Sequence, residues 1–284
     1  MNILLYNEKA DGGRGKENAV AILPSLQGKF PGLETKSAQE LDPKIFLGSL
    51  NAEDNVVLMG GDGDLNHFVN LIEDAPLPCP FWLCPSGRGN DFLKDVEEHK
   101  DPKTSLVPLN DFLLDLPFIE VKGKTYRFLN GIGFGIDGER CVEAERKKCR
   151  GEKDLDYSKI TIHLLFHGFV PRLAKVKVDG VEVSISRSYL ASTMNGRYYG
   201  DGMMIAPMQK RNSHLLSLVV VHGRGKIGTL MLFPKIFKGT HVRAKKNVYC
   251  VQGKEIEVQF DRPCGLQIDG EVVEEVTSYR AYIR

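Results

Sequence analysis

The chain has 284 residues with 38 Lys plus Arg against 37 Asp plus Glu, a formal net charge of +1. Its 42% hydrophobic and 26% charged residues match an average globular protein, which sets aside disordered, collagen-like and coiled-coil classes and allows one large domain or two ordinary ones. The near-zero sum argues against nucleic acid as a partner, but it is a cancellation: residues 202–254 hold ten basic side chains and no Asp or Glu, leaving the rest net acidic.

In chain order, residues 2–6 predict a short buried strand, followed by a turn carrying Gly12, Gly13 and Gly15 and a helix through Ala19, Ile22 and Leu23. Residues 55–59 predict a second strand closed by Gly60 and Gly61; Leu65, Phe68, Val69 and Ile72 then fall on one helix face at i, i+3, i+4 and i+7. Residues 81–84 predict a third strand, interrupted by Pro85-Ser86-Gly87-Arg88-Gly89-Asn90-Asp91. Strand, glycine turn and helix in alternation predict an α/β domain with a parallel sheet over 1–107. Beyond it the texture turns strand-rich. Segments 118–121 and 124–128 flank Lys122-Gly123, and 174–186 alternates around Asp179-Gly180, a dipeptide suited to a two-residue primed hairpin. Further strands are expected at 189–194, 215–221, 255–260 and 266–268, with helices near 139–149, 157–168 and 226–238. Residues 108–274 are thus expected to form a mostly antiparallel β-sandwich, with a last strand at about 275–284 returning to the first domain.

No stretch reaches the roughly 18 consecutive apolar residues of a membrane span, and the first residues lack the basic leader of a secretory signal. The six cysteines are scattered without CxxC spacing and read as reduced thiols, so a cytoplasmic location is expected.

The segment Gly60-Gly61-Asp62-Gly63-Asp64-Leu65-Asn66 carries the strongest chemical signal. Glycines after a buried strand let the backbone approach a bulky anion, and the following helix aims its free N–H groups at the same point. Asp62 suits a proton or a cation; Asp64 reads equally well as a helix cap. The Pro85–Asp91 turn belongs at the same sheet edge, where Arg88 could grip a phosphate with two hydrogen bonds.

These residues resemble the diacylglycerol kinase catalytic family, including its bacterial lipid-kinase branch and its sphingosine kinase relatives. Residues 7–16 resemble the opening turn, 60–66 the GGDGTLN signature, and 85–92 the second glycine block. Asn130-Gly131-Ile132-Gly133-Phe134-Gly135-Ile136-Asp137, Asn195 to Met203 with Ala206-Pro207, and Asp269-Gly270-Glu271 resemble the later blocks in the family's order. The resemblance implies an NAD kinase/diacylglycerol kinase-like α/β domain, a β-sandwich lipid domain, and ATP and Mg²⁺ as cofactors. It implies a catalytic set of Asp269 as general base, Asp62 and Glu271, and a nucleotide set of Asn7, Gly60, Gly61, Asp62, Gly63, Asp64, Asn66, Arg88 and Asn90. Asp62 and Asp137 are the implied metal residues. The signature threonines are replaced here by Asp64 and Arg88, and the following Glu by His67; Asp64 and Arg88 are expected to compensate each other. Residues 211–214 lack the carboxylates of a structural Mg²⁺ turn, so none is expected there.

The implied activity is ATP-dependent phosphorylation of a diacylglycerol-like hydroxyl at a membrane surface, with the basic 202–254 segment facing anionic lipid and room for a homodimer. Two alternatives remain. One is a nucleotide- and lipid-sensing member of the fold without turnover. The other is NAD kinase, which shares GGDG but lacks a place for the second glycine block.

Overall fold

The computed structural model describes residues 1–73, 75–87, 90–152 and 155–284, in two compact units, Met1–Leu116 and Pro117–Arg284. In the first, β1 (Asn2–Tyr6), β2 (Glu34–Ser37), β3 (Asn55–Gly60), β4 (Phe81–Pro85) and β5 (Val107–Pro108) form a sheet in the order β2-β1-β3-β4-β5. The first four strands are parallel and β5 pairs antiparallel to β4. Alternation divides the strand residues between two faces. Leu4, Tyr6, Val57 and Met59 join Ala19 and Leu26 of the Gly15–Leu26 helix in one core. Leu5, Leu58 and Leu83 face the other side, toward the Pro43–Gly48 and Asp62–Ile72 helices.

β2 was not legible in the sequence. Glu34-Thr35-Lys36-Ser37 has no apolar alternation because it is an edge strand whose pairing with β1 is by backbone alone.

The second unit contains β6 (Phe118–Val121), β7 (Lys124–Arg127), β8 (Gly131–Gly135), β9 (Arg172–Val178), β10 (Val181–Met194), β11 (Tyr198–Tyr199), β12 (Met203–Met204), β13 (Leu216–His222), β14 (Val248–Gly253), β15 (Glu255–Ile268) and β16 (Glu271–Tyr282). Nine of these form one antiparallel sheet in the order β14-β13-β10-β8-β15-β16-β6-β7, with β9 joined to both β10 and β15; β11 and β12 pair separately. β10 and β15 are long and each changes partner along its length, from β9 to β8, so the sheet folds over its own core. The expected 189–194 strand is therefore the far half of β10, beyond an irregularity at 185–188 where Arg187 takes a φ of 54°. Asp179 (φ 46°) and Gly180 (φ 87°) make the expected primed turn between β9 and β10.

Two expected boundaries move. The division falls between Leu116 and Pro117 rather than at 107/108, because β5 completes the first sheet and Asn110 then ties down its β4 end: Phe81 N donates to Asn110 Oδ1 at 2.8 Å. The last strand does not return to the first domain. β16 runs between β15 and β6, with Tyr279 and Ala281 in the second unit's core, so its apolar alternation is satisfied there.

On one side of this sheet the Ile136–Cys149 and Tyr157–His163 helices, a π-turn at Leu164–Gly168 and the short Lys226–Leu230 and Phe233–Phe237 helices enclose a further core built on Leu165, Tyr189, Leu232 and Ile236. Among the described residues no helix is long and apolar enough to cross a membrane. The thiols of Cys84, Cys141 and Cys250 are pushed up to about 11 by burial, and that of Cys264 to about 12, so they are inert at neutral pH.

Candidate functional site

In the first unit, β1, β3 and β4 end side by side at Tyr6, Gly60 and Pro85. The chain leaves β1 toward β2 and leaves β3 toward β4, in opposite directions across the sheet, and this reversal opens a crevice at the carboxyl ends of β1 and β3. Asn7 stands at its edge. Its Oδ1 accepts from Lys9 N at 2.9 Å and from Gln39 Nε2 at 2.6 Å, while its Nδ2 donates to Asp64 Oδ1 at 2.7 Å. Asp64 Oδ2 also accepts from Gly61 N at 3.1 Å, half of a capping box, since Gly61 has no side chain to return the bond. A Cβ on Gly60 would come within 2.5 Å of the Asp64 side chain, so glycine there is what lets the carboxylate fold back. Asp64 is therefore a cap and a tether. Arg88, its expected counter-charge, lies outside the described residues together with Gly89.

Under these groups lies a cavity of about 110 Å³, floored by Leu5, Leu58 and Leu83 and rimmed by Asn7, Asp64 and His67. An apolar cavity lined in part by polar groups suits a nucleobase. Asn66, expected at the ligand, is buried, and its Oδ1 takes a hydrogen bond from Asn70 Nδ2 at 3.3 Å; Gly63 is exposed in the first helical turn.

Asp62 does not cap its own helix. Its Oδ2 accepts from Asp91 N at 2.8 Å and its Oδ1 from Phe92 N at 3.1 Å, the first free N–H groups of the Asp91–Val96 helix. Asn90, the residue in capping position, turns its Nδ2 to Gly87 O at 3.3 Å instead. One carboxylate thus fastens the second glycine block to the first. Asp91, in the same block, is 3% exposed with Lys94 Nζ at 3.5 Å, and no local sequence pattern marked it as a buried charge.

In the second unit, Asp269 occupies the β15–β16 turn with a φ of 48°. Its carboxylate accepts from three successive N–H groups: Leu129 at 2.5 Å, Asn130 at 2.8 Å and Gly131 at 2.9 Å. The turn at 129–131 is further held by Arg211, whose Nη1 donates to Leu129 O at 2.6 Å and Nη2 to Asn130 Oδ1 at 2.5 Å, and by Asn195 Nδ2 to Leu129 O at 3.0 Å. Glu271 is exposed just beyond the turn.

Asp137, 6% exposed, belongs to a different cluster. Its Oδ1 pairs with Arg140 Nη2 at 2.6 Å and its Oδ2 accepts from Gln267 Nε2 at 3.0 Å. A Cβ on Gly133 would fall 1.9 Å from that Oδ2, so the glycine makes the space for the carboxylate. Burial and the nearby Asp137 charge push the phenol of Tyr199 well above its usual range. Burial works against the charge of Arg140, but Asp137 outweighs it and the guanidinium is held protonated more firmly than usual. Arg140 was missed in the sequence, although its i+3 spacing from Asp137 on a helix was a readable signal.

Asp137 does not fit the metal role expected of it, because a buried guanidinium already neutralises it. Asp62 accepts helix N–H groups on both oxygens. Among the described residues no three His, Cys, Asp or Glu side chains cluster as metal ligands.

The model of the diacylglycerol kinase catalytic domain matches residues 2–112, and that of the YegS C-terminal NAD kinase beta sandwich-like domain matches residues 130–281, more than half of the chain. The chain belongs to the diacylglycerol kinase family. Within it, this member is 25% identical over 211 residues to a protein of Mycobacterium tuberculosis named diacylglycerol kinase, spanning 72% of this chain and 67% of that one. The crystal structure of a diacylglycerol kinase from Bacillus anthracis matches 99% of this chain and 93% of its own, with a TM-score of 0.69 and 20% identity. A yeast NADH kinase complexed with NADH matches 100% of this chain and 80% of its own, with a TM-score of 0.50 and 9% identity. These two likenesses establish the fold alone, an α/β unit followed by an antiparallel β unit.

Proposed function

We propose that this family member is an ATP-dependent lipid kinase that moves the γ-phosphate of ATP to the hydroxyl of a diacylglycerol-like lipid. The observation that carries the reading is the crevice at the β1/β3 switch point, where an apolar slot adjoins a glycine turn and a helix N-terminus. The base of ATP occupies the slot beside Asn7 and His67. The phosphates lie along Gly60 to Gly63, where backbone N–H groups and the positive end of the helix dipole offset their charge. Asp62 keeps the second glycine block in place and acts as a positioning residue. Asp269 accepts the lipid hydroxyl's proton as that oxygen forms its bond to the γ-phosphorus and the bond to ADP breaks. The three N–H groups at 129–131 fix the orientation of its carboxylate.

A second reading, a nucleotide- and lipid-sensing protein without turnover, is favoured by one observation: both Asp62 and Asp269 already accept backbone N–H groups on each oxygen. Phosphate transfer from labelled ATP to a panel of lipids in mixed micelles separates the two. The kinase reading expects transfer by the wild-type chain, and a kcat about 10²–10⁴-fold lower for Asp269→Asn with the KM for ATP unchanged. ATP binding without transfer to any lipid would establish the sensor instead.

A further inference from the structure

We infer that the 226–238 surface of the second unit docks on an anionic lipid bilayer. The inference deepens the lipid-kinase reading, since a lipid that stays in a bilayer has to be met at its surface, but the docking itself is read from a different part of the molecule.

The two short helices of this segment are split between inside and outside. Leu232 and Ile236 enter the core beside Leu165 and Tyr189. Ile227 (70% exposed) and Met231 (64% exposed), one turn apart, and Phe237 (43% exposed) face outward. Three large apolar side chains on so short a stretch form a surface that water does not favour. Between and beside them stand Lys226, Lys235 and Lys238, all exposed, and beyond them Arg243, Lys245 and Lys246. No acidic residue occurs anywhere from 202 to 254, and among the described residues none of these six cations is in an ion pair.

Exposed apolar side chains interspersed along the chain with cations in no ion pair, of which Lys226 Nζ donates to Phe166 O at 2.7 Å, match one occupant well. The acyl region of a bilayer takes up Ile227, Met231 and Phe237 while anionic headgroups take up the lysines. A second copy of this chain would bring the same unneutralised cations to the contact and repel it. Nucleic acid would meet the lysines but leave the three apolar side chains in water.

Vesicle sedimentation of the full chain tests the proposal, with phosphatidylcholine alone and with added phosphatidylglycerol, at low and high salt. Binding to the anionic vesicles, weakened by salt, is expected. Each lysine near an anionic surface contributes on the order of fivefold, so Lys235→Gln with Lys238→Gln lowers binding by roughly 25-fold. Ile227→Ser with Met231→Ser lowers it by at least about tenfold. Both pairs alter exposed side chains, and an unchanged thermal midpoint shows that each variant is folded. Equal binding to neutral and anionic vesicles, no binding to either, or wild-type binding by both variants would overturn the proposal. Phosphate transfer to a short-chain diacylglycerol dispersed in detergent reads the kinase separately. Vesicle binding without transfer would sink the kinase reading and leave the docking surface standing; transfer without vesicle binding would do the reverse.

Discussion

Asp137 and Arg140 hold one another's charge in an interior that would tolerate neither alone. Both are under a tenth exposed, and the pair is closed by Gln267. Arg140→Met leaves an uncompensated buried carboxylate and is expected to cost about 3–5 kcal/mol, read as a lower urea midpoint. Asp137→Leu combined with Arg140→Met should recover much of that loss, because the desolvation penalty disappears with both charges. A double variant no more stable than Arg140→Met would show that the pair's surroundings, and not the stranded charge, set the cost. At this scale the sequence disclosed residue types better than partners. Asp62 stood out among its glycines, yet its hydrogen bonds reach Asp91 and Phe92, which no local pattern connects to it. Asp64 read equally as cap or phosphate residue and is a cap, because its reach to Gly61 spans only three residues and is local.

Elements were legible where a face is buried and illegible where pairing alone holds them. The alternating strands of both units and the Asp179-Gly180 turn were readable, whereas polar β2 was not. The fusion of two expected strands into β15 was hidden as well, since its register breaks between Gln259 and Leu266 look like a loop in the sequence. At those breaks the Ile136–Cys149 helix meets β15 backbone to backbone: a Cβ on Gly138 would lie 2.0 Å from Gly265 O. Neither backbone can retreat, because Gly265 N is also bound to Glu139 Oε1 at 3.0 Å. Gly138→Ala should therefore destabilise the second unit by at least about 1–3 kcal/mol, although alanine is the better helix former. A thermal midpoint equal to or above the wild type would refute the close approach.

Each core described above lies within one unit. One is confined to residues 4–106, and those around Phe134 and Tyr189 fall wholly within the second unit. Each unit thus has the apolar interior that independent folding needs, and cooperative unfolding of each is expected. The single tryptophan makes this separable in the intact chain. Trp82 sits in β4 with Lys29 Nζ 3.8 Å above its ring and Phe30 5.9 Å away, so its fluorescence reports the first unit only. Far-UV circular dichroism reports both. In a urea titration the two signals should part, with the dichroism showing a transition that the fluorescence lacks. Gly138→Ala should then move the dichroism transition that fluorescence does not see and leave the Trp82 transition in place. Coincident curves that shift together in the variant would mean that the chain unfolds as one cooperative body, and that the 116/117 division marks a change of topology without a change of stability.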